Sequence, residues 1–238
     1  MPVYAEEPKA VRIERTLSTT ETEVGEKFTV KYKIFGDEIK IQRVPNEIAV
    51  IIDTSGSMDW DLDGKYPVPV SKKRITIAKN GAKNFIESFD NTNTKISVVP
   101  FDTSVGGMSD FENMQDPGSK SRLHSYIDNL SAVGGTNLGD SFRIAYYKLD
   151  KEGNPEAKKH IVVLTDGDPT FYTYTGEINK KSFAYFMGDG LVGSAFDVKT
   201  NTSNDYNRGF EYASIMGEFI KNKKTATGQK IYNFHIIG

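Results

Sequence analysis

From residue 46 onward the sequence predicts an α/β fold: a doubly wound, mostly parallel sheet flanked by helices. Three observations carry that expectation. Ile48-Ala49-Val50-Ile51-Ile52 and Ile161-Val162-Val163-Leu164 are short unbroken apolar runs, the pattern of strands buried on both faces. The segments between and after them place apolar residues at helical spacing. Strands alternating with helices imply right-handed βαβ units, and the 238 residues suffice for one large domain of this kind plus a smaller piece.

Residues 1–45 read as a separate β-rich segment. Phe28, Val30, Tyr32 and Ile34 alternate with Thr29, Lys31 and Lys33, so one face is apolar and the other polar. Val11, Ile13 and Leu17 suggest an earlier strand, and Glu23-Val24-Gly25-Glu26 a turn. Two or three strands do not hold together alone, so further structure is expected to pair with them. Val3-Tyr4-Ala5 ahead of Glu6-Glu7 fits the small-residue pattern of a signal-peptidase site, which makes residues 1–5 a candidate signal remnant. An arbitrary terminus is the alternative.

The second segment, 46–238, begins with the strand that ends at Asp53. Ser71 is expected to cap a helix carrying Ile75, Ala78, Ala82, Phe85, Ile86 and Phe89. Lys95 to Phe101 reads as a strand around Ile96, Val98 and Val99, and Ser119 to Leu130 as a short helix. Leu138 to Leu149 is helical through Leu138, Phe142, Ala145, Tyr146 and Leu149. The strand Ile161–Leu164 then runs into Thr165-Asp166-Gly167.

Gly167 to Asn204 is long for a connection in a compact α/β domain. Its Phe171, Tyr172, Tyr174, Phe183, Tyr185, Phe186 and Phe196 suggest a recognition loop for a protein partner, with Phe171, Tyr172, Tyr174, Tyr185 and Phe186 as candidate contacts. A satellite hairpin packed on its own aromatics is the other reading. Asn207 to Asn222 is a helix, and Ile231 to Ile237 a last strand.

Composition narrows the chemistry. A net charge of −2 argues against electrostatic binding of nucleic acid or anionic membrane, and no apolar run is long enough to span a bilayer. The absence of cysteine removes disulfides, thiolate metal sites and a Cys nucleophile. His124, His160 and His235 have no metal-ligand spacing and read as structural or surface residues.

What remains is oxygen chemistry. Asp53, Ser55 and Ser57 offer a carboxylate and two hydroxyls within one turn, with Gly56 letting the backbone curl between the serines. These are hard donors, suited to Mg²⁺, Mn²⁺ or Ca²⁺. In a doubly wound sheet, sites form at the carboxyl ends of strands. That rule brings in Asp166, at the end of another buried strand, and Thr136 in Gly134-Gly135-Thr136-Asn137, just before a helix.

Asp-x-Ser-x-Ser, then Gly-Gly-Thr-Asn, then Thr-Asp-Gly, in that order and at those strand ends, resembles the metal-ion-dependent adhesion site of von Willebrand factor type A domains. The resemblance covers residues 46 to 238. It implies Asp53, Ser55, Ser57, Thr136 and Asp166 as ligands of a Mg²⁺, Mn²⁺ or Ca²⁺ ion. The sixth position is left to an acidic residue of a protein ligand, such as a matrix or cell-surface protein. It further implies a Rossmann-like fold, a non-enzymatic adhesion module and an extracellular, cell-surface or cell-wall location, anchored outside this chain. The order of segments is similar to that of Gram-positive pilus-tip adhesins, in which the type A domain is inserted in an immunoglobulin-like sandwich. Residues 1–45 would be its front half, and Lys31 or Lys33 a candidate for an isopeptide bond to a partner outside the chain. The family usually continues with one more strand and a helix than 46–238 contains.

Three other expectations stand beside this one. Asp59, Asp61 and Asp63 match the opening of a calcium loop, without its final Glu, and are a candidate second Ca²⁺ site. Asp166 and Asp168 fit the D-x-D-x-T nucleophile motif of Mg²⁺-dependent haloacid-dehalogenase-like phosphatases, which leaves Asp53 to Ser57 unexplained. Type A domains also serve in intracellular assembly or chelatase-like complexes.

Overall fold

Alternate side chains of one strand feed two separate cores. In β3 (Asn46–Asp53) Ala49 and Ile51 point to one side, and Ile48, Val50 and Ile52 to the other, all buried. A strand can do this only if both faces of its sheet are covered, which is why the apolar run is unbroken. The computed structural model describes residues 12–18, 21, 26–27, 29–35, 44–90, 92–178, 182–188, 197–200, 208–226 and 228–237. These fall into two compact units, Met1–Arg43 and Val44–Gly238.

In the first unit β1 (Arg12–Leu17) and β2 (Val30–Phe35) pair antiparallel, with Arg12 opposite Phe35 and Leu17 opposite Val30. Lys31 and Lys33 stand exposed on β2. Residues 1–5, Val11, residues 23–25 of the expected turn, and Phe28 lie outside the described residues.

The second unit is built on a five-stranded sheet. Its strands are β3, β4 (Thr94–Phe101), β5 (Glu112–Asn113), β6 (Lys158–Leu164) and β10 (Tyr232–Ile237), in the order β10-β6-β3-β4-β5. All neighbours are parallel except β5, a short antiparallel edge not foreseen from sequence. Helices α1 (Arg74–Glu87) and α2 (Ser119–Asp128) cover one face, burying Ile75, Ala82, Ile86, Leu123 and Ile127 against β3 and β4. Helices α3 (Leu138–Lys151) and α4 (Arg208–Lys221) cover the other through Phe142, Ala145, Leu149, Met216 and Ile220. The chain leaves β3 toward β4 on one side and reaches β6 on the other. The carboxyl end of β3 is therefore the switch point of the sheet, where a crevice must open.

Two expectations are corrected. Ser71 does not cap α1; it lies in a 3₁₀ turn over Val70–Lys72, and the N-cap is Lys73, with no side-chain cap. The Arg74 amide is satisfied instead by the Trp60 carbonyl at 2.8 Å, so the preceding loop does the capping. Of the two readings of the connection from Gly167, a recognition loop or a satellite hairpin, the structure is nearer the second. The connection holds a three-stranded antiparallel sheet, β7 (Phe171–Ile178) flanked by β8 (Ser182–Tyr185) and β9 (Asp197–Thr200). Tyr172, read as a recognition contact, is 0% exposed and belongs to the α3–α4 core. The Tyr185 ring stacks on Tyr212 of α4, with centroids 5.3 Å apart. The guanidinium of Arg143 in α3 lies over the Phe186 ring, 4.7 Å from its centroid. These aromatics chiefly hold the small sheet to its own domain; Phe196 lies outside the described residues.

Candidate metal centre

β3 delivers Asp53 to the switch point wholly buried, and the backbone then turns at once. The Asp53 Oδ1 accepts the Ser55 amide at 2.8 Å, closing a local turn, and Oδ2 accepts the Thr165 hydroxyl at 2.7 Å from the end of β6. Gly56 to Asp59 form a 3₁₀ turn pinned by buried Met58. That turn carries Ser57 back toward its neighbour: the Ser55 and Ser57 hydroxyls are 3.1 Å apart, and Ser57 Oγ donates to Asp166 Oδ1 at 3.0 Å. Four of the five residues expected to hold a cation are thus joined by one hydrogen-bonded chain across residues 53 to 166.

The fifth, Thr136, arrives on the Gly-Gly-Thr-Asn loop, which is stitched in by backbone. The Gly56 amide donates to the Gly134 carbonyl at 3.0 Å, and Gly134 has a left-handed φ of 74°. The Gly135 amide donates to the Thr103 hydroxyl at 2.9 Å. Asn137 caps α3, accepting the Asp140 amide, while its Nδ2 donates to Thr103 O and Thr173 Oγ1. Thr136 itself is buried. Its amide donates to the Thr170 hydroxyl, and its carbonyl accepts the amides of Thr170 and Phe171.

The electrostatics of the site turn on a buried carboxyl. Burial pushes the Asp53 carboxyl above its ordinary range; hydrogen bonds from Ser55 and Thr165 oppose this, and the Asp166 charge adds to it. An ionised carboxylate in such a place is costly unless a positive charge faces it. Among the described residues no three carboxylates, imidazoles or thiols cluster to hold a metal, so an ion here would depend on hydroxyls as much as on its two acids. Two carboxylates and three hydroxyls are a hard donor set that fits Mg²⁺, Mn²⁺ or Ca²⁺.

Sequence reasoning missed two participants. Thr165, quoted in the sequence only as the first residue of Thr165-Asp166-Gly167, positions Asp53 from the end of β6, a role its neighbours in sequence do not reveal. Arg74 pairs with Asp166 Oδ2 at 2.5 Å and donates from Nε to the Asp61 carbonyl at 2.8 Å. In sequence it reads as one more cation in Lys72-Lys73-Arg74.

The candidate calcium residues are not brought together. Asp59 is paired with Lys73 at 2.5 Å, Asp61 Oδ1 accepts the amides of Asp63 and Lys65, and Asp63 lies 3.8 Å from the Lys65 ammonium. Asp168 is exposed. His160 and His235 stack at 5.8 Å on neighbouring strands.

Comparison with known proteins agrees with this architecture. The family described as von Willebrand factor type A domain matches residues 48–168. The D319A mutant of the PilB minor pilin from Streptococcus sanguinis superposes with a TM-score of 0.67 at 18% identity, covering 96% of this chain and 67% of that one. The pilus adhesin SpaC from Lactobacillus rhamnosus GG gives 0.56 at 18% identity, covering 96% and 28%. Inter-alpha-trypsin inhibitor heavy chain H2 of Mus musculus is 26% identical over 171 residues, 65% of this chain and 16% of its own length. Heavy chain H4 of Homo sapiens is 26% identical over 187 residues, 76% of this chain and 18% of its own. The chain thus spans less than a fifth of the curated relatives it matches.

Proposed function

The chain belongs to the von Willebrand factor type A family, and we propose that it is a non-enzymatic adhesion module of a bacterial surface or pilus-associated protein. It engages an acidic residue of its protein ligand through a divalent cation held by Asp53, Ser55, Ser57, Thr136 and Asp166. The observation that carries this reading is the chain of contacts from Ser55 through Ser57 to Asp166 beside a fully buried Asp53. A bound Mg²⁺ would act as a Lewis acid that accepts an outside carboxylate. The protein's share is to present few charged donors, so that the ion keeps its appetite for that ligand.

The surroundings support a protein partner. The loop leaving the site exposes Trp60, Leu62, Tyr66 and Val70, and large apolar groups facing water beside a polar site are typical of protein-binding surfaces. The likeness to a minor pilin and a pilus adhesin supports the surface location. Against phosphatase chemistry, that motif leaves unexplained Asp53, Ser55 and Ser57, which share one hydrogen-bonded chain with Asp166.

Calorimetric titration of Mg²⁺, Mn²⁺ and Ca²⁺ into chelator-stripped protein tests the reading. Binding that disappears in Asp53→Ala supports it. Binding that persists unchanged in Asp53→Ala overturns the assignment of the site.

A further inference from the structure

Arg74 is built into the site from two directions. Its amide donates to the Trp60 carbonyl, and its Nε to the Asp61 carbonyl, so both backbone and side chain are tied to the loop that follows Asp53. One of the two terminal nitrogens, Nη1, reaches Asp166 Oδ2 at 2.5 Å. Asp166 is thereby divided: Oδ1 takes the Ser57 hydroxyl, and Oδ2 takes the guanidinium. The pair is shielded, with side chains 19% and 10% exposed. A guanidinium with two anchors on carbonyl and carboxylate is held in place rather than sampling solvent.

We propose that Arg74 is an internal counter-cation that sets the affinity of this site in two opposite senses: it opposes the divalent ion and favours the acidic ligand. The inference rests on the metal-dependent reading above. Charge counting gives both signs. Asp53 and Asp166 together carry two negative charges, which Arg74 reduces to one, so an incoming divalent ion meets a weaker field and a cation already seated on Asp166. Once loaded, the site carries a net single positive charge with Arg74 and none without it. A ligand carboxylate is drawn to the former and not to the latter. Arg74 therefore gives up metal affinity in exchange for grip on an acidic partner. The opposed signs separate this role from a merely structural one, because loss of a structural support would weaken both binding steps.

The test is a pair of titrations on wild type, Arg74→Gln and Arg74→Met, with thermal melts in chelator verifying that each is folded. Met matches the aliphatic stem of Arg without its charge, and covers the case in which Gln is not accommodated. Calorimetry with Mg²⁺ or Mn²⁺ is expected to show roughly three- to tenfold tighter binding in the variants, the scale of a partly exposed charge acting on a divalent ion. Acetate, as a probe carboxylate, is then titrated into the Mn²⁺-loaded proteins and followed by water-proton relaxation, which falls as the ion loses water. Its midpoint is expected to rise in the variants. A folded variant with equal or weaker metal binding, or with an unchanged acetate midpoint, overturns the proposal while leaving the metal site standing. Metal binding seen only in the variants supports it in an extreme form, with Arg74 closing the site. Absence of binding in every protein overturns this proposal together with the function above.

Discussion

Gly135 lies against the ring of Phe171: a Cβ built on Gly135 would come 2.1 Å from Cε2 and 2.2 Å from Cδ2. The small sheet that begins at Phe171 is therefore packed on the loop presenting Thr136, and the Phe171 and Thr170 amides both donate to the Thr136 carbonyl. Gly135→Ala should cost about 1–3 kcal/mol, the scale of an overpacked contact, and weaken metal binding with it. Urea unfolding of Gly135→Ala with and without Phe171→Ala checks this. Partial recovery of stability in the double variant is expected, and wild-type stability in Gly135→Ala would show that the ring yields freely.

Asp53→Asn should separate stability from binding. Burial raises the Asp53 carboxyl above its ordinary value of 3.8, so the folded state prefers the protonated acid. Its stabilising contribution is then largest at low pH and is lost as pH rises through the raised value, leaving an ionised group that costs stability at neutral pH. Asparagine keeps the shape without the charge. In chelator its melting temperature should equal or exceed that of wild type, while calorimetry finds no metal binding. A variant that melts well below wild type in chelator would contradict the argument.

Arg143 and Asp140 form a buried ion pair at 2.7 Å in α3, and Arg143 Nη1 also donates to the Gly188 carbonyl, linking α3 to the segment after β8. Asp140→Ala removes the carboxylate that balances this buried charge and should cost about 3–5 kcal/mol. Combining it with Arg143→Met should lose less, because no buried charge is left over. Chemical denaturation of the two single variants and the double gives the coupling, and strict additivity would argue against a buried pair.

His160 is held below its ordinary value of 6.5 by burial, by the facing His235 and by Lys158. The folded state therefore resists its protonation. The stability it confers is present above pH 6.5 and is lost as pH falls from there toward the lowered value. Urea midpoints measured from pH 7.5 down to about 5 should decline in wild type and flatten in His160→Gln, since most carboxylates titrate lower still. Parallel curves would exclude His160 as the cause.

Much of this was legible beforehand because it is local. The unbroken run from Ile48 to Ile52 marked a strand buried on both faces, and Asp53, Ser55 and Ser57 declared their chemistry within one turn. The register of β3 against β6, with Ile52 beside Leu164, is what brings Asp166 to that turn, and the order of strand ends already pointed there. The expected cap at Ser71 failed for the converse reason. A carbonyl from Trp60, fourteen residues before α1, did the work of a side chain, and no propensity records that.

The sequence by itself determined the periodicities, the polar turns and their order along the chain, since each is a property of residues a few positions apart. Only the tertiary structure decided that Arg74 faces Asp166, that Thr165 holds Asp53, that Phe171 rests on Gly135, and that Tyr172 belongs to the core. Each of these pairs is joined by a contact whose partners are 36 or more residues apart in sequence, or by packing of whole elements. Such contacts depend on topology and register, which place side chains that carry no mark of their partners.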